Sequence, residues 1–520
     1  MTEKPVWRGI PSLAGLCSFE EAQRVGLTVE TSVAWMKRHH YLLVRLHEVL
    51  TAHITSEPIY ELKTAFSLHA YLCAEHATAI RQRVSELREP PLGLEAVPHV
   101  SLELLCNEVL CAPTHVELVL GLYEIIIPAV IESLKEYIAT TNPLADAPSV
   151  RVARFCRIEL EDMATFGRQA VAGLVDATAR GRLAPWVELL KQCLTDARGV
   201  SGFSFKGIGL MGPMGHMGRI IPIDPISPIC PIPICPIPIC PIEEPHFHAG
   251  QKSATPCLEP QFSAKPFQYD PVPKRDARFQ DPYNAGVNPE VYLYDERFLA
   301  RDKVLMLFYK RLREIDVPEM MASILQQTPG KPWKYYRDMS RQLWDEARHA
   351  MLGEVGFVHL GIDWTKIPIN FTWSRNLNTQ LEPWERHAVL FFIEQGLMPR
   401  TGKRYEWEIG QASGIPLAGL IQDFDWADEV LHAQIGREWY VKEFGDLNEA
   451  MSYGDRCWSQ VLSHWKSYRD SGLTDHRNWW PEIYRLACEH WGVTPDPAAL
   501  AFDTTYETVR ADLKGISGSG

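Results

Sequence analysis

No uninterrupted apolar run in this 520-residue chain reaches the length of about eighteen residues that a membrane-spanning helix needs. The opening MTEKPVWRG also lacks the apolar core of a secretory signal. Positive charge is in deficit: 52 Lys and Arg stand against 65 Asp and Glu, for a net charge of −13. Non-specific binding to nucleic acid or to an anionic membrane is therefore not expected, since both require a basic patch. Cysteine is sparse, twelve in the chain with no paired C-x-x-C, which excludes a disulfide scaffold and makes reduced thiols the default. These absences leave a soluble globular chain, read as cytoplasmic. A hydrophobic content of 46% is ample for the cores of two or three domains.

What the chain does contain is a nine-residue pattern that occurs twice, DEARHAMLG from Asp345 to Gly353 and DEVLHAQIG from Asp428 to Gly436. Both copies read D-E-x-x-H-A-x-x-G. On an α-helix, residues three apart share a face, so Glu346 and His349, like Glu429 and His432, aim at one point. A Glu at hairpin distance precedes each copy. Glu394 lies 35 residues before Glu429, in an apolar stripe of Leu390, Phe391, Leu397 and Met398 where an unpaired charge would be costly. Glu314 lies 32 residues before Glu346, with the turn-forming Thr328-Pro-Gly-Lys-Pro332 midway; Glu319, just after Pro318, competes for its role. Glu243-Glu-Pro-His246 also fits the spacing, but Pro245 and its proline neighbours forbid a regular helix, so its side chains do not converge.

Two Glu-x-x-His pairs completed by two single glutamates form the ligand set of four-helix dimetal carboxylate proteins. The stretch 290–445 resembles the ferritin-like di-iron carboxylate superfamily, whose bacterial multicomponent monooxygenases and ribonucleotide reductase small subunits carry similar D-E-x-x-H motifs. The resemblance implies metal ligands at Glu314, Glu346, His349, Glu394, Glu429 and His432. Glu314 and Glu394 are expected to bridge or shift, and the two motif pairs to anchor the metals, so that all four glutamates take part in catalysis. It also implies that Asp345 and Asp428 each hold a ligand histidine in one tautomer through its other ring nitrogen. A further histidine found in arylamine N-oxygenases would fall at Asp425, where this chain has an aspartate.

The whole chain reads as all-α: two ferritin-like four-helix bundles joined by an extended linker. Residues 1–198 form the first bundle, with helices expected at 31–52, 60–88, 100–140 and 150–180. Glu75, Glu124 and Glu159 map onto Glu346, Glu394 and Glu429 with an offset of 270 or 271, the basis for reading this bundle as a diverged copy. In that register Thr78 and Asp162 replace the histidines and Leu43 replaces Glu314, so a metal-free copy is expected. His47 and His76 read as ordinary helix residues.

Residues 199–289 change composition abruptly, with PISPICPIPICPIPICPIEEP at their centre. Proline this dense excludes helix and sheet interiors and favours an extended path, whose isoleucines need cover. Cys230, Cys235 and Cys240 recur every five residues. That step turns a polyproline helix by about 240°, so they leave on different faces and do not converge on an ion. His246 and His248 read as surface residues. Residues 290–445 form the dimetal domain, and 446–520 a helical extension with aromatic segments at 458–468 and 478–491 that ends in a Gly/Ser tail.

Four carboxylates and two imidazoles suit two iron ions, or a manganese–iron pair. The function expected is a non-haem di-iron oxygenase or oxidase that activates dioxygen to oxidise a small organic substrate, supplied with electrons by a reductase or ferredoxin. A homodimer is compatible with this. Two other readings fit the motifs: ferritin-like iron storage or detoxification, and a helical scaffold with a vestigial site. Tyr309, Tyr335, Tyr336 and Trp344 lie near the motifs, and the sequence does not choose among them as radical carriers.

Overall fold

The computed structural model describes residues 7–87, 93–203, 258–462 and 465–505, and they are helical, with no strand among them. The Pro-Ile-Cys repeat with Cys230, Cys235 and Cys240, the Glu243–His246 pair, His248 and the closing Gly/Ser tail lie outside the described residues. Among the described residues no helix is long and apolar enough to cross a membrane, and no cysteine is in a disulfide.

Helix boundaries follow local chemistry. Thr28 caps Val29–Ile54 by accepting from the Thr31 backbone N–H, which satisfies one of the free donors of the first turn. Tyr60–Glu86 follows directly. The expected helix 100–140 is divided: Val100–Leu110 ends before Pro113, His115–Leu120 restarts behind the Thr114 cap, a π-helical turn spans Gly121–Ile126, and Ile127–Thr140 completes it. Pro113 lacks the N–H that a continuous helix would use. Ala147–Leu174 is followed by Ala177–Asp196, a helix beyond the expected four, restarted where Asp176 accepts from Ala179 N–H.

In the second half, Ala300–Arg313 and Asp316–Gln327 are separated by a break at Glu314 and Ile315. The Thr328–Pro332 segment is the turn that leads into the first motif helix, Trp333–His359. Pro383–Gly396 carries Glu394 and opens with a capping box between Glu382 and Glu385. A short helix, Lys403–Ala412, intervenes before the second motif helix, Pro416–Gly436.

The halves are not isolated from each other: Met1–Gly202 and Pro260–Gly520 belong to one compact unit. Tyr60–Glu86 lies along the first motif helix, and Val29–Ile54 along Asp316–Gln327. Buried polar bonds tie this contact. His47 Nε2 meets Ser340 Oγ at 2.7 Å, Trp333 Nε1 donates to Thr78 Oγ1 at 2.9 Å, and Lys63 pairs with Glu319. Farther along, Glu108 accepts from the backbone N–H groups of Gln261, Phe262 and Ser263 and from the Trp186 indole, which clamps the returning chain onto the first half.

The conserved spacing within each motif copy has a packing reason. A Cβ on Gly353 would run into the backbone of Leu312 and Phe308, and one on Gly436 would run into the Phe391 ring. The glycine that ends each motif therefore lets the partner helix approach, and those partners carry Glu314 and Glu394. Ala350 and Ala433 are buried on the same faces.

Candidate metal centre

The six residues expected as ligands converge, and a seventh joins them. One group comprises Glu346, Glu394, Glu429 and His432; the other comprises Glu314, His349 and Asp425. In each, one donor atom per residue lies within 4.8 Å of the others. Glu319, the competitor of Glu314, is elsewhere, bound to Arg275, Lys63 and Ser374. Asp425 takes the place where the sequence comparison looked for a histidine.

Both imidazoles are buried and oriented. His349 Nε2 is 3.1 Å from Asp428 Oδ2, and His432 Nε2 is 3.3 Å from Asp345 Oδ2. The expected aspartate–histidine support is present, and it is crossed, each aspartate serving the other helix's histidine. Arg348 Nη2 joins the two aspartates at 2.7 and 2.6 Å, and Arg341 Nε reaches Asp345 at 2.8 Å. With Nε2 held by a carboxylate, each ring turns its Nδ1 inward, toward the other candidate ligands.

Glu346 lies between the groups. Its Oε1 is 3.0 Å from His432 Nδ1 and its Oε2 is 3.7 Å from His349 Nδ1. Glu346 thus faces both imidazoles, whereas Glu314 and Glu394 each belong to one group. Gln342 Nε2 donates to Glu394 Oε1 at 3.1 Å.

The donor set fits metal ions on a specific observation. Glu314 Oε2, Glu346 Oε1, His349 Nδ1, Glu429 Oε2 and His432 Nδ1 are buried and make no well-formed hydrogen bond, although Glu346 Oε1 lies 3.0 Å from His432 Nδ1. Buried polar atoms are almost always hydrogen-bonded, and five that are not, converging from several helices, form an arrangement that could hold a metal ion. Imidazole and carboxylate together suit iron or manganese better than calcium, which takes oxygen ligands alone.

The electrostatics are those of crowded carboxylates without a metal. Burial, together with the neighbouring Glu429 and Glu346, raises the Glu394 carboxyl well above its usual range. Burial would raise Glu429 too, but the Lys403 ammonium more than reverses this and holds it well below. Glu314, likewise buried, is brought down to about 2, chiefly by Arg311. Burial alone would lower His349; its bonds to Asp428, Glu314 and Glu346 instead raise it to about 10, and His432 shifts in the same direction.

Two cations enter this centre that the motifs did not signal. Lys403 Nζ lies 2.9 and 3.0 Å from the two oxygens of Asp425 and 2.8 Å from Glu429 Oε1. Arg311 Nη2 is 2.7 Å from Glu314 Oε1, and its other terminal nitrogen contacts Asp425. Both side chains are fully buried. The one available signal for Arg311 was its position, three residues before Glu314.

A cavity of about 120 Å³ opens onto the centre, lined by Glu314, Glu346, Glu394 and Glu429 but by neither histidine. Val317, Met320, Leu377, Ile393 and Leu397 form its apolar part, and Glu290, Lys310, Arg313, Asp316 and Ser374 line it as well.

In the first half, Glu75, Glu124 and Glu159 face separate partners: Arg337 at 2.7 Å, Arg180 at 2.7 Å and His76 at 2.7 Å. Leu43 is in the core, and Thr78 accepts the Trp333 indole N–H. Among the described residues, the groups that could hold an ion are the two around Glu346 and His349.

Comparisons with protein-family models, with curated proteins and with solved structures each returned no match.

Proposed function

We propose that this chain is a non-haem dimetal oxidoreductase, a di-iron or manganese–iron oxygenase or oxidase that uses dioxygen to oxidise a small, largely apolar organic molecule. The carrying observation is the join between the converging donor atoms and the cavity: the carboxylate side of the centre faces a partly apolar pocket, while the histidine side is sealed by Asp345, Asp428 and two arginines. Glu314, Glu346, His349, Glu394, Asp425, Glu429 and His432 would hold the ions. When bound, reduced iron supplies the electrons that dioxygen reduction requires.

The protein's own part is positioning and exclusion. Asp345 and Asp428 hold the imidazoles in one tautomer, and Gln342 fixes one oxygen of Glu394. The apolar part of the wall gives a substrate a surface to rest on beside the carboxylates. The space beside the carboxylates, about 120 Å³, suits a small organic group.

Elemental analysis of protein expressed with iron and manganese available tests this reading, followed by oxygen-consumption measurements on the reduced chain. The expected result is bound iron, or iron with manganese, and oxygen uptake that small apolar compounds accelerate. A chain without metal, or one carrying a single zinc and inert to oxygen, would sink it. Assembly into a large shell on size exclusion would transfer the metal site to storage.

A further inference from the structure

The two halves of the centre are alike in sequence and unlike in surroundings. Around His432 stand three carboxylates, Glu346, Glu394 and Glu429. Glu346 Oε1, Glu429 Oε2 and His432 Nδ1 face one another there with no protein cation on any of the three atoms. Around His349 stand Glu314 and Asp425, each already engaged by a protein cation, with Glu346 Oε2 shared from the other group at 3.7 Å. Lys403 Nζ spans both oxygens of Asp425, and Arg311 holds Glu314 Oε1.

We infer that the two positions are chemically unequal and that Lys403 sets how many ions the centre holds. An ion enters the Glu346, Glu394, Glu429 and His432 position directly, whereas the Glu314, His349 and Asp425 position is closed by the Lys403 ammonium until an ion displaces it. The inference rests on the metal-binding reading above and adds the order and selectivity of loading to it.

The physical ground is competition for the same lone pairs. A dication at the His349 position needs an oxygen of Asp425, and both oxygens are engaged by Lys403. It would also enter a space whose two carboxylates are already neutralised by Lys403 and Arg311, so its attraction is offset by repulsion from two charges that cannot leave the buried site together. The His432 position offers three carboxyl groups with no protein cation between them and the imidazole, although Glu429 also meets Lys403 through its other oxygen, Oε1.

The placement of Lys403 is built into the backbone. It is the first residue of the Lys403–Ala412 helix, entered through a tight turn in which Lys403 N donates to Leu397 O at 3.1 Å. One turn later Glu406, also buried, pairs with Lys310, the neighbour of Arg311, and accepts from Gln422 on the second motif helix at 3.2 Å. This short helix is thereby pinned to both flanking helices, and Lys403 is directed into the centre rather than to solvent.

The test is an anaerobic titration of the metal-free full chain with Mn(II), following free manganese and the bound-ion signal by electron paramagnetic resonance, with Fe(II) content by elemental analysis in parallel. The wild-type chain is expected to take one Mn(II) with an isolated-ion spectrum, and a second with at least about 100-fold weaker affinity. Lys403→Met, similar in length and uncharged, is expected to bring the second affinity at least about tenfold closer to the first and to show exchange coupling between two ions. Lys403→Arg keeps the charge and is expected to behave as wild type. Two ions of equal affinity in the wild-type chain would overturn the inference while leaving the metal reading intact, and so would a folded Lys403→Met chain with the wild-type isotherm. A wild-type chain that binds neither metal would remove the metal reading itself. The wild-type isotherm decides the matter alone if Lys403→Met does not fold.

Discussion

At the scale of single residues, His349 and His432 carry the strongest claims, because each is anchored on one nitrogen and turns the other toward the carboxylates of the centre. Replacing both by alanine is expected to abolish stoichiometric metal binding, as read by elemental analysis. Replacing only the support should be milder: Asp428→Asn leaves His349 in place but weakens its orientation, and metal affinity is expected to fall by about 10- to 100-fold. Metal-free, the same pair makes a pH prediction. His349 is raised to about 10 by contacts that burial alone would not provide, so the folded chain holds a proton that the unfolded chain releases near its ordinary value. That contribution to stability is complete below about pH 6.5 and is lost as pH rises toward 10. The melting temperature of the metal-free chain should therefore fall over this window, and the metal-loaded chain, whose imidazoles are already deprotonated, should show a flatter profile. Equal slopes in both forms would contradict the assignment.

Helices explain both what the sequence disclosed and what it withheld. Glu346, His349, Glu429 and His432 were legible because a three-residue spacing on a helix is a geometric statement, and Glu314 and Glu394 because a hairpin connection limits their distance from the motifs. Asp425, Arg311 and Lys403 were not legible in that way. Their roles depend on how four helices and a short insert cross, and a charged residue on a helix is solvated by default. The repeat offset of Glu75, Glu124 and Glu159 was equally regular, yet the structure gives them three unrelated partners; spacing along the chain does not specify which face a neighbouring helix covers. Gly353 tests the helix-crossing account directly. Because its Cβ would meet backbone atoms of Leu312 and Phe308, which cannot rotate away, Gly353→Ala should destabilise the chain by about 1–3 kcal/mol or more and loosen metal binding with it. Gly173 and Gly181, on the helices 147–174 and 177–196, have nothing within 4 Å of such a Cβ, and alanine there should be neutral or stabilising by about 0.5–1 kcal/mol. Urea denaturation of the three variants separates a packing effect from helix propensity.

For the molecule as a whole, the decisive contact is the one between its halves. Lys63, from the Tyr60–Glu86 helix, is buried against Glu319, which Arg275 and Ser374 also engage, and Asp316 shares the same arginine. The charges in this network balance only when both halves are docked, and removing one partner of a buried pair typically costs about 3–5 kcal/mol. Lys63→Met should therefore lower the melting temperature of the entire chain, although Lys63 touches no candidate ligand. The same coupling predicts that metal loading, which acts at the centre in the second half, raises the stability of the first half too: ligand at about 1,000 times its dissociation constant adds about 4 kcal/mol to a cooperative unit. Calorimetry should then show a single transition that moves up on loading, and hydrogen exchange in the Val29–Ile54 helix should slow with it. Two transitions, only one of them sensitive to metal, would mean that the halves unfold separately and that the Lys63 network does not join them energetically.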